Sequence, residues 1–302
     1  MSKRMQSNLL LFLTAFIWGA AFVAQKASDS IGPMTFNGIR TFLGGLVLIP
    51  VILVMSRGHA SEEKVRDKAS VRKDWKTLFL GGLLCGLALF GASTLQQYGI
   101  QFTSAGKAGF ITSLYAVIVP ILSIVLGKKV RPLVWLCVGL GIAGLYLLSI
   151  KPGTFSIQYG DFFVLLCAAI FSVHILLIDY FSPKTSGVKL ACLQFLIAGG
   201  LGIIGMFLFE EPVLDQILAC RIPILYAGIL SCGVAYTLQI IAQKHADPTE
   251  ASLILCLEAV FSMITGAIIL HERMEPRGYA GCLLIFIAVL ISQLPERHQA
   301  RN

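Results

Sequence analysis

The 302-residue chain alternates between apolar stretches and short polar breaks. Ten apolar segments stand out, at 8–27, 35–55, 77–98, 105–126, 133–150, 160–180, 188–208, 222–243, 250–270 and 278–294. A bilayer core about 30 Å thick takes about 20 residues of helix, so each segment predicts a membrane-spanning α-helix. Lys26, Lys107, Asp161, Asp179, Lys189 and Glu250 lie within three residues of a segment end, where they can reach the interface. Only Arg40 and Glu258 lie deep. The first segment follows Lys3 and Arg4 but exceeds the apolar region of a secretory signal and has no clean A-x-A site before Gln25. It is expected to stay as the first helix.

Composition narrows the class further. Hydrophobic residues make up 56% of the chain and charged residues 13%, against about 25% charged in a soluble domain. Such a chain cannot cover a water-facing globule, which excludes a soluble enzyme, a disordered protein and a collagen-like fibre. With the N-terminus inside, cytoplasmic segments hold 17 Lys and Arg and external segments 6, with Arg40 inside a helix. By the positive-inside rule both termini are expected in the cytoplasm, in a multi-pass protein of the cell (plasma or inner) membrane. The net charge of +8 then reads as an insertion signal, with no nucleic-acid partner implied. Residues 56–75, rich in both charge signs, are expected to form a cytoplasmic, protease-sensitive loop. The eight cysteines sit in or beside apolar runs without metal-ligand spacing and are expected to be small buried hydrophobes.

The chain also repeats itself. Thr94-Leu95-Gln96 recurs as Thr237-Leu238-Gln239, 143 residues later, and each copy leads through a polar turn into a helix ending at a charged loop. Ala15-Phe16-Ile17-Trp18 similarly resembles Ala168-Ala169-Ile170-Phe171. The expected domains are a five-helix unit over 1–150 and a second over 151–302. Five is odd, so the copies must cross in opposite directions. The expected fold is all-α and integral to the membrane: ten transmembrane helices as two inverted five-helix repeats, an arrangement that secondary transporters use around a midplane site.

Four stretches, Phe16–Lys26, Arg40-Thr41-Phe42, Thr94–Ile111 and Leu257–Met274, resemble the EamA-type branch of the drug/metabolite transporter superfamily. The resemblance covers both five-helix units. It implies a ten-helix transporter of metabolites, amino acids among them, often an exporter with cytoplasmic termini. Two positions depart from the family pattern: its Gly-Glu after helix four is Gly127-Lys128 here, and its Pro after the helix-nine Glu is Ala259.

Two motifs dissolve in context. Gly139-x-Gly141-x-x-Gly144 matches a dinucleotide fingerprint but lies inside an apolar helix without a preceding strand. It is read as close helix packing, like Gly82-x-x-x-Gly86. His271-Glu272 begins like a zincin motif, but Glu275 stands where its second His would be. With no Walker, G-x-S-x-G or calcium loop either, the chain is expected to be no enzyme and to need no cofactor or metal.

The candidate site comes from polar residues that lipid would not tolerate. Glu258 is about halfway across helix nine, where an ionised acid costs about 2.5–3.5 kcal/mol unless it faces a cavity or partner. Ser262 and Thr265 follow on the same stripe. Arg40 is expected either to snorkel outward or to meet a carboxylate. Helix one carries Thr14, Trp18 and Gln25 on one face; helix three carries Gln96, Gln97 and Gln101; helix eight carries Tyr236, Gln239 and Gln243. Unsatisfied amides are costly in lipid, so these stripes are expected to face a shared cavity, with Tyr115 and His174. Pro120 is expected to kink helix four at a point unmatched in the second unit. The substrate-binding set is thus Trp18, Arg40, Gln96, Gln97, Tyr115, His174, Tyr236, Gln239, Glu258 and Ser262. The function this predicts is secondary-active export of small polar or amphipathic metabolites such as amino acids, with a proton as the candidate coupling ion. The alternatives are a non-transporting scaffold and a facilitative transporter of a nucleoside or drug-like amine.

Overall fold

The computed structural model describes residues 3–58, 68–149, 159–271 and 276–292. Their elements are helical: α1 (Lys3–Lys26), α2 (Pro33–Gly58), α3 (Lys68–Gln101), α4 (Ala105–Thr112), α5 (Tyr115–Val125), α6 (Pro132–Ser149), α7 (Tyr159–Phe181), α8 (Gly187–Phe209), α9 (Leu214–Ala219), α10 (Arg221–Leu225), a π-helical stretch Tyr226–Tyr236, α11 (Thr237–Gln243), α12 (Pro248–Leu255), α13 (Leu257–Ile269) and α14 (Pro276–Ser292). Among the described residues, eight stretches are long and apolar enough to cross a membrane. The apolar helices at 132–147 and 276–292 are shorter, so length alone does not make them the fifth and tenth crossings. Proline starts α2, α6, α12 and α14, where its missing N–H costs nothing and its φ is already helical.

Small residues set the helix spacing, because packing inside lipid relies on close van der Waals contact. A Cβ at Gly86 would stand 3.0 Å from the Gln194 carbonyl, and one at Gly144 only 2.7 Å from the Gly281 carbonyl. The packing expectation fails at Gly139 and Gly141, where a side chain would meet nothing within 4 Å. Seven of the eight cysteines are buried and all are free, in keeping with their apolar surroundings. The expected loop at 56–75 is shortened from both sides, since α2 continues to Gly58 and α3 begins at Lys68; residues 59–67 lie outside the described residues. So do Glu272 and Glu275, and the last residues of the C-terminus.

Helix four of the sequence is interrupted at Ser113–Leu114 rather than at Pro120, which sits inside α5. The break is matched, contrary to expectation. Ala116 N–H donates to the Ser113 carbonyl at 3.0 Å, and 143 residues on Ala259 N–H donates to the Cys256 carbonyl at 3.1 Å. Both are i−3 bonds that tighten the chain where the α-helical ladder is interrupted. At the second break the Cys256 thiol donates to the Leu253 carbonyl at 2.9 Å. The N-caps correspond at the same spacing: the Ser104 side chain accepts from Lys107 N–H and that of Asp247 from Thr249 N–H. At their far ends, α5 is followed by Gly127 (φ 78°) and α13 by His271 (φ 56°). Glycine takes this left-handed conformation freely, whereas histidine does so at a cost of about 1–2 kcal/mol.

Ion pairs tie the two halves together. Lys107 meets Asp161 at 2.6 Å and Lys128 pairs with Asp179, joining the two ends of the α4–α5 segment to α7. Glu250 at the start of α12 is held by Arg4 of α1 at 3.2 Å and by Arg131 before α6.

Candidate functional site

The centre of the bundle holds a cavity of about 30 Å³. Eight of the ten expected residues line it: Trp18, Arg40, Gln96, Tyr115, His174, Tyr236, Gln239 and Glu258. The walls therefore come from α1, α2, α3, the α4–α5 break, α7, the π-helical stretch with α11, and α13. Helices two and four, which carry Arg40 and Tyr115 of the expected set, thus join helices one, three, six, eight and nine around the cavity.

Tyr236 is the aromatic hub. Its ring lies 4.4 Å from that of Trp18, 5.6 Å from Phe195 and 6.0 Å from His174, centroid to centroid, in or at the close edge of the range of favourable aromatic pairs. It ends the π-helical stretch Tyr226–Tyr236, whose wider turn also delivers Ser231 to the cavity. Close packing holds this stretch against α2, since a Cβ at Gly228 would lie 3.0 Å from the Arg40 carbonyl. The Tyr226 hydroxyl donates to the Ile17 carbonyl of α1 at 3.0 Å.

Glu258 sits in the first turn of α13, immediately after the Cys256 break. It is 3% exposed, and the positive end of the α13 dipole lies beside its carboxyl. The Ser113 and Tyr115 hydroxyls, from the opposing break, stand next to it. Among the described residues, Glu258 Oε1, Ser113 Oγ and Tyr115 Oη have no hydrogen-bond partner. Two interrupted helices thus bring three unsatisfied buried oxygens together. Nearby, Gln96 Nε2 donates to Thr112 Oγ1 at 3.1 Å. His174 Nε2 and Gln194 Oε1 are 3.0 Å apart, while Trp18 Nε1 and Gln239 Oε1 are buried without partners among the described residues. Such a set can grip a small solute that brings its own donors and acceptors.

Gln97 and Ser262 do not belong to the lining. Gln97 Nε2 donates to the Gln25 carbonyl at 3.2 Å, locking α3 to α1. Ser262 donates to the Ala259 carbonyl and packs on Gly109, where a Cβ would lie 2.7 Å from its hydroxyl. Thr265 bonds the Phe261 carbonyl, and Thr14 the Leu10 and Ala235 carbonyls. The stripe of helix nine thus serves helix packing beyond Glu258, because hydroxyls can satisfy themselves on backbone carbonyls. Thr112, Ser231, Phe171 and Ile175 line the cavity without having been expected there.

Comparison with known proteins agrees with this architecture. A model of the EamA-like transporter family matches residues 5–150 and 158–294. An uncharacterized transporter of Archaeoglobus fulgidus is 31% identical over 300 residues, covering 97% of this chain and 87% of its own. The uncharacterized transporter YoaV of Bacillus subtilis is 24% identical over 286 residues, covering 91% and 92%. A Chlamydia muridarum protein named S-adenosylmethionine/S-adenosylhomocysteine transporter is 30% identical over 103 residues, 34% of this chain and 29% of its own. A crystal structure superposes with a TM-score of 0.73 at 21% identity, covering 95% of this chain and 96% of that one. At that identity the likeness speaks for the fold.

Proposed function

The chain belongs to the EamA-like transporter family, a multi-pass membrane protein with two copies of the family domain, and from that premise we propose that it is a secondary-active exporter of small polar or amphipathic metabolites, amino acids being the leading class. The observation that carries this reading is the central cavity. It combines one acid, one guanidinium, amides and an aromatic hub in the middle of an apolar bundle. Apolar walls with a few convergent polar groups suit solutes that are part apolar and part hydrogen-bonding. The similarity over 103 residues to a protein named for S-adenosylmethionine and S-adenosylhomocysteine is in keeping with it. Residues 1–150 and 151–302 are the two inverted five-helix units in this proposal, with α6 and α14 as the fifth and tenth crossings. The matched breaks at Ser113–Leu114 and Cys256 support it, since interrupted helices at corresponding positions are how inverted-repeat transporters build a midplane site.

The reading is tested by reconstituting the purified protein in liposomes preloaded with one unlabelled metabolite at a time and following entry of the labelled form. Accelerated counterflow for at least one amphipathic metabolite is expected. Retention of every solute class at the rate of empty liposomes, with no solute raising the melting temperature by mass action, would reduce the protein to a membrane scaffold. Both termini belong in the cytoplasm in this reading, from the distribution of Lys and Arg. A reporter fused after Asn302 should be active only in its cytoplasmic form; activity of a periplasm-dependent reporter there would invert the topology.

A further inference from the structure

Arg40 is 4% exposed and lines the central cavity, eight positions into α2. Snorkelling toward the membrane surface would carry its head out of the bundle; instead the head is turned in. Its guanidinium carbon lies 5.3 Å from the Phe36 ring centroid, and Nε donates to Asn37 Oδ1 at 3.2 Å. Neither terminal nitrogen has a hydrogen-bond partner among the described residues, and no carboxylate there lies within 4.0 Å. Glu258 lines the same cavity without pairing with it.

Asn37 is placed to hold that orientation. It is 1% exposed, and its amide donates to Ser93 Oγ at 2.9 Å and Thr94 Oγ1 at 3.1 Å on α3. Its carbonyl oxygen also accepts from the Thr41 hydroxyl at 3.3 Å. With one edge of the guanidinium fixed by Asn37, the opposite fork of two nitrogens is left for the cavity. A buried cation without a counter-charge is costly. A carboxylate matches the fork geometry and supplies that charge.

We propose that Arg40 is an oxyanion subsite, that the transported solute carries a carboxylate which docks on it, and that Asn37 is its positioning residue. The inference rests on the transporter reading and narrows it: a solute without an acid group, such as a nucleoside or a simple amine, lacks the group this subsite takes. Glu258 and the aromatic hub then meet the remainder of the molecule.

The test uses the full chain, purified and reconstituted, and a panel of amino acids and keto acids, each paired with its carboxamide, together with nucleosides and simple amines. Counterflow and thermal shift are read for each. For any acid that serves as substrate, the carboxamide is expected to bind at least tenfold more weakly. Arg40→Gln should erase the difference within the pair, and Arg40→Lys should restore part of it by returning the charge without the fork. Asn37→Ala should weaken the acid more than the amide, a selectivity change that general loosening of the helix would not give. Equal affinity of the wild type for acid and amide, preference for nucleosides or amines, or unchanged selectivity in a folded Arg40→Gln overturns the subsite and leaves the transporter reading standing. Failure of every solute in the panel to exchange or stabilise overturns both.

Discussion

Replacing Glu258 with Gln should leave solute exchange across liposomes intact while abolishing accumulation driven by a pH gradient. The side chain is buried at a helix break, lines the cavity, and has one oxygen without a hydrogen-bond partner among the described residues. Gln keeps the shape and most of the hydrogen-bonding capacity but cannot gain or lose a proton. In a carrier that couples export to proton entry, exchange needs only alternation of the site, whereas concentration needs the proton to travel with each cycle. The measurement is labelled-solute uptake with and without an imposed pH gradient. A second outcome has its own meaning: if binding itself weakens by roughly 1.5–3 kcal/mol, the value of a charge-assisted hydrogen bond, the carboxylate recognises a substrate amine. Survival of binding, exchange and gradient-driven accumulation together would make Glu258 a structural hydrogen-bonder and remove it from the site.

The second large effect is expected from Gly19→Ala, one methyl group beside the cavity residue Trp18. A Cβ at Gly19 would stand 2.9 Å from the Glu258 carbonyl oxygen and 2.9 Å from the Phe261 carbonyl carbon, both backbone atoms. Backbone cannot rotate out of the way, so α1 and α13 must separate. Overpacking of this kind costs about 1–3 kcal/mol. Because Trp18 and Glu258 sit on the two helices being pushed apart, solute affinity should fall together with the melting temperature. Gly200→Ala, where a side chain meets nothing within 4 Å, is the matched control: it should leave solute affinity unchanged and hold or raise the melting temperature, since alanine suits a helix interior better than glycine. Equal behaviour of the two variants in thermal unfolding and solute binding would show that the contact is not tight in the membrane.

Hydropathy alone carried the class of the protein, because a chain short of charge can only be stable where water is scarce. The segment pattern expected ten crossings; the structure has helices close to all ten places, eight of them long and apolar enough to cross a membrane and two, at 132–147 and 276–292, shorter. The 143-residue spacing of Thr94-Leu95-Gln96 and Thr237-Leu238-Gln239 announced a correspondence that the caps at Ser104 and Asp247 and the breaks near Ser113 and Cys256 repeat. Helical periodicity also identified most of the cavity side chains, since a polar residue on an apolar helix must face inward.

What periodicity cannot state is which inward neighbour a polar side chain meets, and this the tertiary structure decided. Gln96 and Gln97 are adjacent in sequence and both buried, yet one lines the cavity and the other is spent on the Gln25 carbonyl. Ser262 follows Glu258 by one turn, but its hydroxyl closes on its own helix while the carboxyl of Glu258 is left open. The breaks in helices four and nine lie away from the one proline that signalled a kink, because i−3 hydrogen bonds and a cysteine thiol can interrupt a helix without any residue that forbids it. Arg40 could have turned either way from its position in α2; only the Asn37, Ser93 and Thr94 hydrogen bonds, which join α2 to α3, set its direction. One helix's sequence fixes the face it buries, and the neighbour packed against that face fixes what each buried group is for.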